Sequence, residues 1–494
     1  MSYYNKIRSF CCVCMFMCAT FASIHIEESY AIENLHQWWS TEFDFNSPGA
    51  RSRGMGGAFV GRADDGTASI ANPAGLAQLP SIQLYVEGHL NTWDSREAAW
   101  PHDPLSPDIG GPVEPIINPG GPPVVTTQEG KINFEDMLDL AFASVAFPFK
   151  VGFGEKKIGF NAAVFYNKIA NSDVDMVLPM TFQSNPGFIA AGLPFTPLEG
   201  YISNLNFDID EYGVSLAKSF FGEKLMIGGT VSVMHLDLET TWRSTYTDSA
   251  GVDHEEVPGN AGPYPWANQF AETNETDLQV AFRAGILYRF TDKLLIGFSA
   301  QVMPQFSYET DYISLVDSAS ATLPPFTVNN RLSIPDVYSI GASYQLTDNW
   351  GWFIEGKHIK YSDLMDDFTS GEGLWGADIN SFNEDQFEID NVWESHLGTE
   401  YIMNIKSVPL ALRLGTYSEP AHSLEYRKVE SPGTLFPRVG DNYADLMDGG
   451  DDVLHFTAGA GVVIKSRLQI DAALDIQDDG NASSYIMSIA YEVN

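Results

Sequence analysis

Apolar residues recur at every second position along most of this chain. In residues 468–476, for example, Leu468, Ile470, Leu474 and Ile476 share one face. The same alternation occurs in residues 282–290, 410–416, 454–464 and 485–493. A period of two is typical of a β-strand with one apolar face. The opposite faces carry small or polar residues, which suits a hydrated lumen better than a dry core.

The pattern predicts fourteen strands separated by alternately short and long links. We place them at residues 81–93, 137–149, 157–169, 208–221, 225–238, 277–290, 294–306, 334–346, 351–362, 391–403, 409–418, 453–464, 468–477 and 483–493. The links 221–225, 290–294 and 464–468 are short, whereas 93–137, 169–208 and 418–453 are long. Only the last hairpin, at residues 478–481, interrupts this rhythm.

The first 31 residues have the layout of a secretory signal peptide. Lys6 and Arg8 precede an apolar run from Phe10 to Ala22, and Ser29-Tyr30-Ala31 offers a cleavage site. All four cysteines of the chain lie inside this segment. The mature protein is therefore expected to contain no disulfide, no thiolate metal ligand and no cysteine nucleophile.

An exported chain with these strands is either soluble or a membrane β-barrel. No later stretch of the chain approaches 18 consecutive apolar residues, so we expect no transmembrane helix. Bacterial barrels combine an even strand number with short periplasmic turns and long outer loops. Aromatic residues also cluster at strand ends, as interfacial girdles do, among them Tyr288, Trp350, Trp352 and Tyr401. The sequence therefore predicts an all-β protein, a transmembrane antiparallel β-barrel of about 14 strands in the bacterial outer membrane.

The composition excludes two classes of partner. The formal charge is −38, from 27 Lys and Arg against 65 Asp and Glu. Nucleic acids and anionic membrane surfaces both require a basic face, so neither is an expected partner. The hydrophobic fraction of 44% excludes a disordered acidic chain.

Residues 32–80 do not fit the barrel pattern. They contain a glycine-rich run at 54–61 and then Asn72-Pro73-Ala74-Gly75. Asn72 followed by Pro73 predicts a helix N-cap with proline at the first helical position. A compact, small-residue segment ahead of a barrel could form a plug within the lumen, and a periplasmic arm is the alternative. We therefore divide the chain into a signal peptide (1–31), an N-terminal hatch (32–80) and a barrel (81–494).

A family resemblance rests on these motifs. Residues 54–59 (GMGGAF), 63–65 (ADD) and 72–76 (NPAGL) resemble the N-terminal hatch of FadL/TodX-type outer-membrane transporters. Residues 334–336 (IPD) and 413–417 (RLGTY) resemble later segments of the same family. The resemblance implies a fourteen-stranded barrel plugged by a hatch, and passive uptake of long-chain fatty acids or other hydrophobic compounds. It also implies a gating role for Asn72, Pro73, Ala74 and Gly75.

Candidate ligand-binding residues come from two regions. The predicted outer loops are unusually apolar, and burial of apolar area favours capture of a hydrophobic compound. These loops supply Phe188, Ile189, Leu193, Phe195, Trp242 and Trp266. Arg283 and Arg413 face inwards and could pair with a carboxylate head group. Self-packing of the loops, and pairing of the arginines with lumenal acids, are the alternatives.

Other functions remain as hypotheses. A hatch-containing barrel that serves as a subunit of a protein-secretion system would share the hatch motifs, and a barrel enzyme is a third possibility. We expect no enzymatic activity, because no nucleophile-elbow or metal-ligand spacing is present. No metal or cofactor is expected. The expected partners are hydrophobic small molecules, outer-membrane lipid and lipopolysaccharide, with the protein acting as a monomer.

Overall fold

A computed structural model describes most of the chain downstream of the predicted signal peptide. The described residues are 43–93, 96–98, 124–125, 130–134, 137–153, 156–178, 182–183, 199–247, 253–255, 270–316, 322–323, 325–365, 387–406, 408–422, 425–426, 452–478 and 482–493. The predicted signal peptide and the first part of the predicted hatch, residues 32–42, lie outside them.

The described residues form 24 strands. The first half contains β1 (Ile82–Trp93), β2 (Arg96–Ala98), β3 (Val124–Val125), β4 (Gly130–Phe134), β5 (Met137–Phe153), β6 (Lys156–Leu178), β7 (Phe182–Gln183), β8 (Glu199–Phe220), β9 (Leu225–Thr247), β10 (Asp253–Glu255), β11 (Phe270–Arg289) and β12 (Leu294–Val302). The second half contains β13 (Gln305–Val316), β14 (Thr322–Leu323), β15 (Phe326–Ser333), β16 (Val337–Thr347), β17 (Trp350–Ile359), β18 (Phe387–Glu388), β19 (Val392–Ile405), β20 (Val408–Glu419), β21 (Glu425–Tyr426), β22 (Val453–Ile464), β23 (Leu468–Gln477) and β24 (Ala482–Val493).

Antiparallel pairing closes these strands into one barrel. The order around the wall is β1, β5, β6, β8, β9, β11, β12, β16, β17, β19, β20, β22, β23 and β24, and β24 pairs with β1. β13 continues β12 after a break at Met303-Pro304, and β15 precedes β16 across the break Ile334-Pro335-Asp336. The wall therefore has fourteen strand positions, which confirms the predicted fold and strand count.

The alternation in the sequence becomes an outer and an inner face. On β8, Tyr212, Val214 and Leu216 are exposed, whereas Ser215 and Ala217 between and beside them are buried. The outward side chains form an apolar belt suited to the acyl chains of a membrane. Near the short turns this belt ends in aromatic residues such as Phe221, Phe290 and Trp350, as predicted. Among the described residues, no helix is long and apolar enough to cross a membrane.

The strands extend further than the hydropathy pattern predicted. β9 continues to Thr247 and β11 begins at Phe270, beyond the predicted ends at 238 and 277. The pair β13 and β15 lies within the predicted link 306–334 and was missed. The extensions of β9 and β11 carry polar residues on both faces. In β13 and β15 the apolar residues, such as Phe306 and Leu332, face inwards and the outward face is polar, so these strands lack the lipid-facing apolar pattern on which the prediction rested.

The hatch lies inside the barrel, which confirms the plug interpretation over the periplasmic arm. Its short helices are Ala50–Arg53 and Ala68–Ala71, followed by a 3₁₀ helix at Pro73–Gln78; a further 3₁₀ helix at Tyr361–Met365 follows β17. The largest hatch side chains, including Met55, Phe59 and Leu76, are fully buried.

We predict that a charge on the outward face destabilises the barrel. Val231 is 54% exposed on β9, six residues beyond the turn that precedes the strand. Val231→Arg should lower the free energy of unfolding by about 2–4 kcal/mol, because the charge would lie within hydrocarbon. Urea unfolding, followed by the mobility shift of the folded barrel on a denaturing gel, measures the change. Glu223→Arg in the exposed turn is the control, and equal stability losses for both variants would contradict this assignment of the lipid-facing surface.

Candidate functional site: the hatch and the lumenal chamber

Three pairs of facing glycines let the hatch contact the barrel wall directly. The pairs are Gly228 with Gly285, Gly297 with Gly341, and Gly398 with Gly415. A Cβ atom on these residues would meet the hatch at Pro73, Asn72, Val60, Gly61, Met55 and Gly56, respectively. No wall side chain therefore separates the two backbones. We call these six residues the glycine belt.

Sequence analysis did not identify the glycine belt. It treated these glycines as part of a small, polar inner face. A usable signal was present, because an isolated glycine inside a strand often marks a close approach of another backbone. Which backbone approaches was not readable from the strands, because the contacting hatch residues are far away in sequence.

Asn72 joins the hatch to the wall. Its side-chain amide donates to the carbonyl oxygens of Val60 (3.0 Å) and Ile286 on β11 (3.2 Å). Its side-chain oxygen accepts from the Ala74 amide at 3.2 Å, and Pro73 occupies the first position of the 3₁₀ helix. The predicted N-cap is thus confirmed, although the helix is of the 3₁₀ type. The side chain of Asn72 is completely buried and serves three partners at once.

Gly75 and Ala74 complete this junction. A Cβ atom on Gly75 would collide with the carbonyl oxygen of Ala63, so only glycine fits there. Ala74 is fully buried against Met226, Leu287 and Leu295 of the wall. Asn72, Pro73 and Ala74 therefore contact strands β9, β11 and β12 directly, and Gly75 packs against Ala63 within the hatch.

Charged wall residues anchor the backbone of the hatch at other points. Glu355 accepts hydrogen bonds from the amides of Phe59 and Val60, each at 2.9 Å. His396 lies 2.7 Å from the carbonyl oxygen of Gly56, and its other ring nitrogen contacts Glu394. These bonds replace the water that the hatch backbone would otherwise need, because buried backbone groups must be paired.

The two candidate arginines are buried within ion-pair networks. Arg283 forms a bidentate pair with Glu211 and also donates to Gln301 at 2.8 Å. Arg413 donates to Glu400 at 2.8 Å and to Asp471 at 2.7 Å. Both side chains are at most 2% exposed. The structure thus brings each of them to lumenal acids and not to the open lumen.

Arg51 extends the second network into the hatch. Its guanidinium group pairs with Glu400 at 3.2 Å and with Asp64 at 2.7 Å. Glu400 is therefore shared between a hatch arginine and Arg413 on β20. Rotation or withdrawal of this part of the hatch would leave buried charges without partners, which is strongly unfavourable.

Above the hatch, one half of the lumen is apolar. Its wall is a cluster of buried side chains on β6, β8, β9, β13, β15 and neighbouring strands, including Phe207, Ile209, Met234, Leu236, Phe306 and Leu332. Phe45 belongs to this cluster and Phe43 packs against it. We call the part of the lumen that this cluster occupies the apolar chamber.

The other half of the same lumen is polar. A cavity of about 170 Å³ adjoins the apolar chamber at Phe43 and Ile169 and extends to strands β1, β5, β20, β22, β23 and β24. Its polar side is lined by residues such as His89, Asp139, Glu419, His455, Asp475 and Ser484. The lumen above the hatch therefore has two opposed faces, one that favours hydrocarbon and one that favours hydrogen-bonding groups.

Most of the predicted loop residues cannot be placed in this site. Phe188, Ile189, Leu193, Phe195 and Trp266 lie outside the described residues. The backbone of Trp242 lies on β9, opposite Ser203 of β8. Their proposed role in ligand capture stays a prediction.

The site and fold together define a hatch-closed outer-membrane barrel, and a family profile matches part of its sequence. A family profile described as outer membrane protein transport protein (OMPP1/FadL/TodX) matches residues 208–434. Comparison with curated protein sequences finds no match. This match confirms the resemblance to the FadL/TodX family that the hatch motifs predicted, and together with the barrel fold it identifies a protein of the bacterial outer membrane.

Solved structures share this fold at low sequence identity. The toluene transporter TbuX of Ralstonia pickettii is 13% identical with a TM-score of 0.51, and the match covers 91% of this chain and 100% of that one. A FadL homologue of Pseudomonas aeruginosa is 15% identical with a TM-score of 0.53, covering 92% and 100%. Identities this low establish the fold and leave the substrate open.

We predict that Asn72→Ala loosens the hatch without unfolding the barrel. The substitution removes hydrogen bonds to two carbonyl groups and one amide, each worth about 0.5–1.5 kcal/mol. Hydrogen exchange of residues 54–78 should speed up at least about tenfold, while exchange in β20 and β22 stays unchanged. Asn91→Ala, which removes a lumenal amide remote from the hatch, is the matched control. Unchanged exchange in the hatch would show that Asn72 does not hold it.

A second prediction concerns the pH dependence of the hatch. Burial raises the pKa of Asp65 from 3.8 to about 6, with Asp64 nearby adding to the effect and Arg51 opposing it. The Asp65 carboxyl group is protonated more readily when the hatch is bound in the lumen. The hatch should therefore be bound most strongly below pH 4 and less strongly as the pH rises to about 6. Exchange protection in the hatch, corrected for intrinsic rates, should therefore be higher at pH 5 than at pH 7.5. The Asp65→Asn variant should show the same protection at both pH values. If the difference between pH 5 and pH 7.5 persists in this variant, another titratable group causes it.

Proposed function

We propose that this protein is a passive channel that admits long-chain fatty acids or other hydrophobic compounds through the outer membrane. The observation that carries the proposal is the apolar chamber above a sealed hatch. An aqueous pore needs a continuous polar passage, whereas at the glycine belt the hatch lies directly against the wall. A site that buries hydrocarbon next to a closed plug suits a compound that leaves water on binding.

In this proposal the apolar chamber is the binding site. Its aliphatic and aromatic side chains, such as Met234, Leu236 and Phe306, are almost entirely buried within the lumen. Burial of apolar area there stabilises a ligand by about 25 cal/mol per Å². Transport would follow the concentration gradient, and we propose no catalytic step.

The chain segment that leads into the hatch occupies part of this chamber. Phe43 and Phe45 stack at 5.7 Å, and their rings approach Phe207 and Tyr361 edge-on. The amide of Asp44 donates to the carbonyl oxygen of Ile169 at 2.9 Å, and its carboxylate pairs with Arg53 of the hatch. We propose that an incoming ligand displaces these two rings, and that the Asp44–Arg53 pair transmits the displacement to the hatch.

Release requires an exit, and one part of the barrel wall is weakly paired. Pairing of β11 with β12 stops at Phe282 and Val302, and pairing of β11 with β13 resumes only at Glu272 and Asp311. In the intervening stretch, the side chain of Asp277 accepts from the Ser307 amide at 2.9 Å in place of a backbone bond. This stretch borders the apolar chamber at Ala281 and Phe306 and supports a lateral exit, with passage past the hatch into the periplasm as the alternative.

We predict that a charge in the apolar chamber stops uptake. Leu236→Glu should reduce uptake of a labelled hydrocarbon at least about tenfold, because a carboxylate there lacks a partner and repels apolar ligands. Uptake is measured in bacteria that lack their own channel of this class, with surface abundance of the variant checked by its folded mobility on a gel. Ser484→Glu on the polar face is the matched control and should retain uptake. Uptake at the wild-type rate in folded Leu236→Glu would exclude the chamber as the path.

Mass spectrometry of the organic extract of gently purified protein distinguishes the proposed channel from a subunit of a protein-secretion system. Enrichment of a fatty acid or hydrocarbon over the detergent blank would support transport and name the substrate class. Co-purification of a stoichiometric protein partner without any such ligand would instead favour the protein-secretion subunit.

A further inference from the structure

The cations that line the polar cavity are already neutralised. Arg53 pairs with Asp44 and lies 3.6 Å from Asp475. Lys168 is 2.9 Å from both Asp208 and Asp210. Each cation is thus shared between two carboxylates, so neither has spare charge for an anionic ligand.

Carboxylates outnumber cations around the same cavity. Its lining includes five acidic residues, namely Asp44, Asp139, Asp173, Glu419 and Asp475, and two permanent cations. His455 contacts Glu419 at 3.0 Å and Asp475 at 2.9 Å, so it compensates these two acids and leaves Asp139 and Asp173 unpaired. The polar face of the lumen therefore presents negative charge to whatever occupies the apolar chamber.

Two of these carboxylates have no partner among the described residues. Asp139 lies on β5, directly across from His89 on β1, whose ring instead contacts Glu87 at 2.7 Å. Asp173 lies in the second half of β6, where this strand still pairs with β8. Both carboxylates line the cavity that adjoins the apolar chamber, so unpaired hydrogen-bond acceptors lie next to an apolar surface.

The deeper arginines do not alter this balance. Arg283 and Arg413 are engaged by Glu211, Glu400 and Asp471 below the chamber. A carboxylate that enters the lumen would lose hydration and meet like charge with no free cation, which is costly. A hydroxyl group or a protonated amine would instead donate to the free acceptors.

We infer that the chamber selects apolar compounds whose head group donates hydrogen bonds and carries no negative charge, and that it discriminates against carboxylates. The inference rests on the proposed function and narrows its substrate class to long-chain alcohols, amines and similar compounds. The apolar chamber provides the affinity, and the polar face provides the choice of head group.

A matched set of twelve-carbon probes tests this inference. Immobilised full-length protein in non-ionic detergent binds tritiated dodecane, and dodecan-1-ol, dodecan-1-amine and dodecanoate compete at pH 7.5. The alcohol and the amine should displace dodecane at concentrations at least about tenfold lower than dodecanoate requires, a difference of about 1.4 kcal/mol. Dodecanoate that competes as well as the alcohol would overturn the inference while leaving the proposed function intact.

Variants separate the head-group effect from general binding. The double variant Asp139→Asn/Asp173→Asn should bring dodecanoate to within about threefold of the alcohol, because the two free charges are gone. Asp292→Asn, in an exposed turn at the other end of the barrel, is the control and should keep the full difference. Persistence of that difference in the double variant would overturn the assignment to these residues. Absence of dodecane binding to the folded wild-type protein would overturn both the proposed function and the inference.

Discussion

Direct contact between two backbones is the constraint on which the rest of this structure depends. At the glycine belt, the hatch lies against the barrel wall with no side chain between them, as at Gly398 and Met55 or Gly415 and Gly56. Such proximity seals the lumen without a large apolar core. It also places hatch amides and carbonyls beside the wall, where each needs a hydrogen-bond partner. Asn72, Glu355 and His396 supply those partners.

The same closeness explains the buried charges. A hatch held only by backbone contacts would have no preferred orientation, whereas Arg51, shared between Asp64 and Glu400, matches one orientation only. Buried pairs of this kind contribute little net stability, yet breaking one is costly. Close backbone contacts thus hold the hatch in the lumen, and the buried ion pairs fix its orientation. Above this level the hatch contributes Phe43, Asp44 and Phe45, and an apolar half of the lumen faces a polar half.

The fold was largely predictable because a membrane barrel imposes period two on every strand that crosses lipid. Asn72-Pro73 was also readable, since capping is decided by neighbouring residues. The extensions of β9 and β11 were not, because they carry polar residues on both faces, and the pair β13 and β15 was not, because its apolar residues face the lumen and its outward face is polar. The partner of Arg283 could not be chosen from sequence either. Its partner Glu211 is 72 residues away, and many other acidic residues of the predicted inner face could equally have paired with Arg283.

The sequence by itself determined the barrel, its strand number, the presence of a hatch and the family resemblance, because each follows from a local pattern or a short motif. Only the tertiary structure decided which glycines meet the hatch, which acids neutralise each arginine, and how apolar and acidic faces oppose one another above the seal. These features depend on contacts between residues hundreds of positions apart, such as Arg51 with Glu400. Closure of the barrel brings these residues together, and no local sequence pattern indicates which of them will meet.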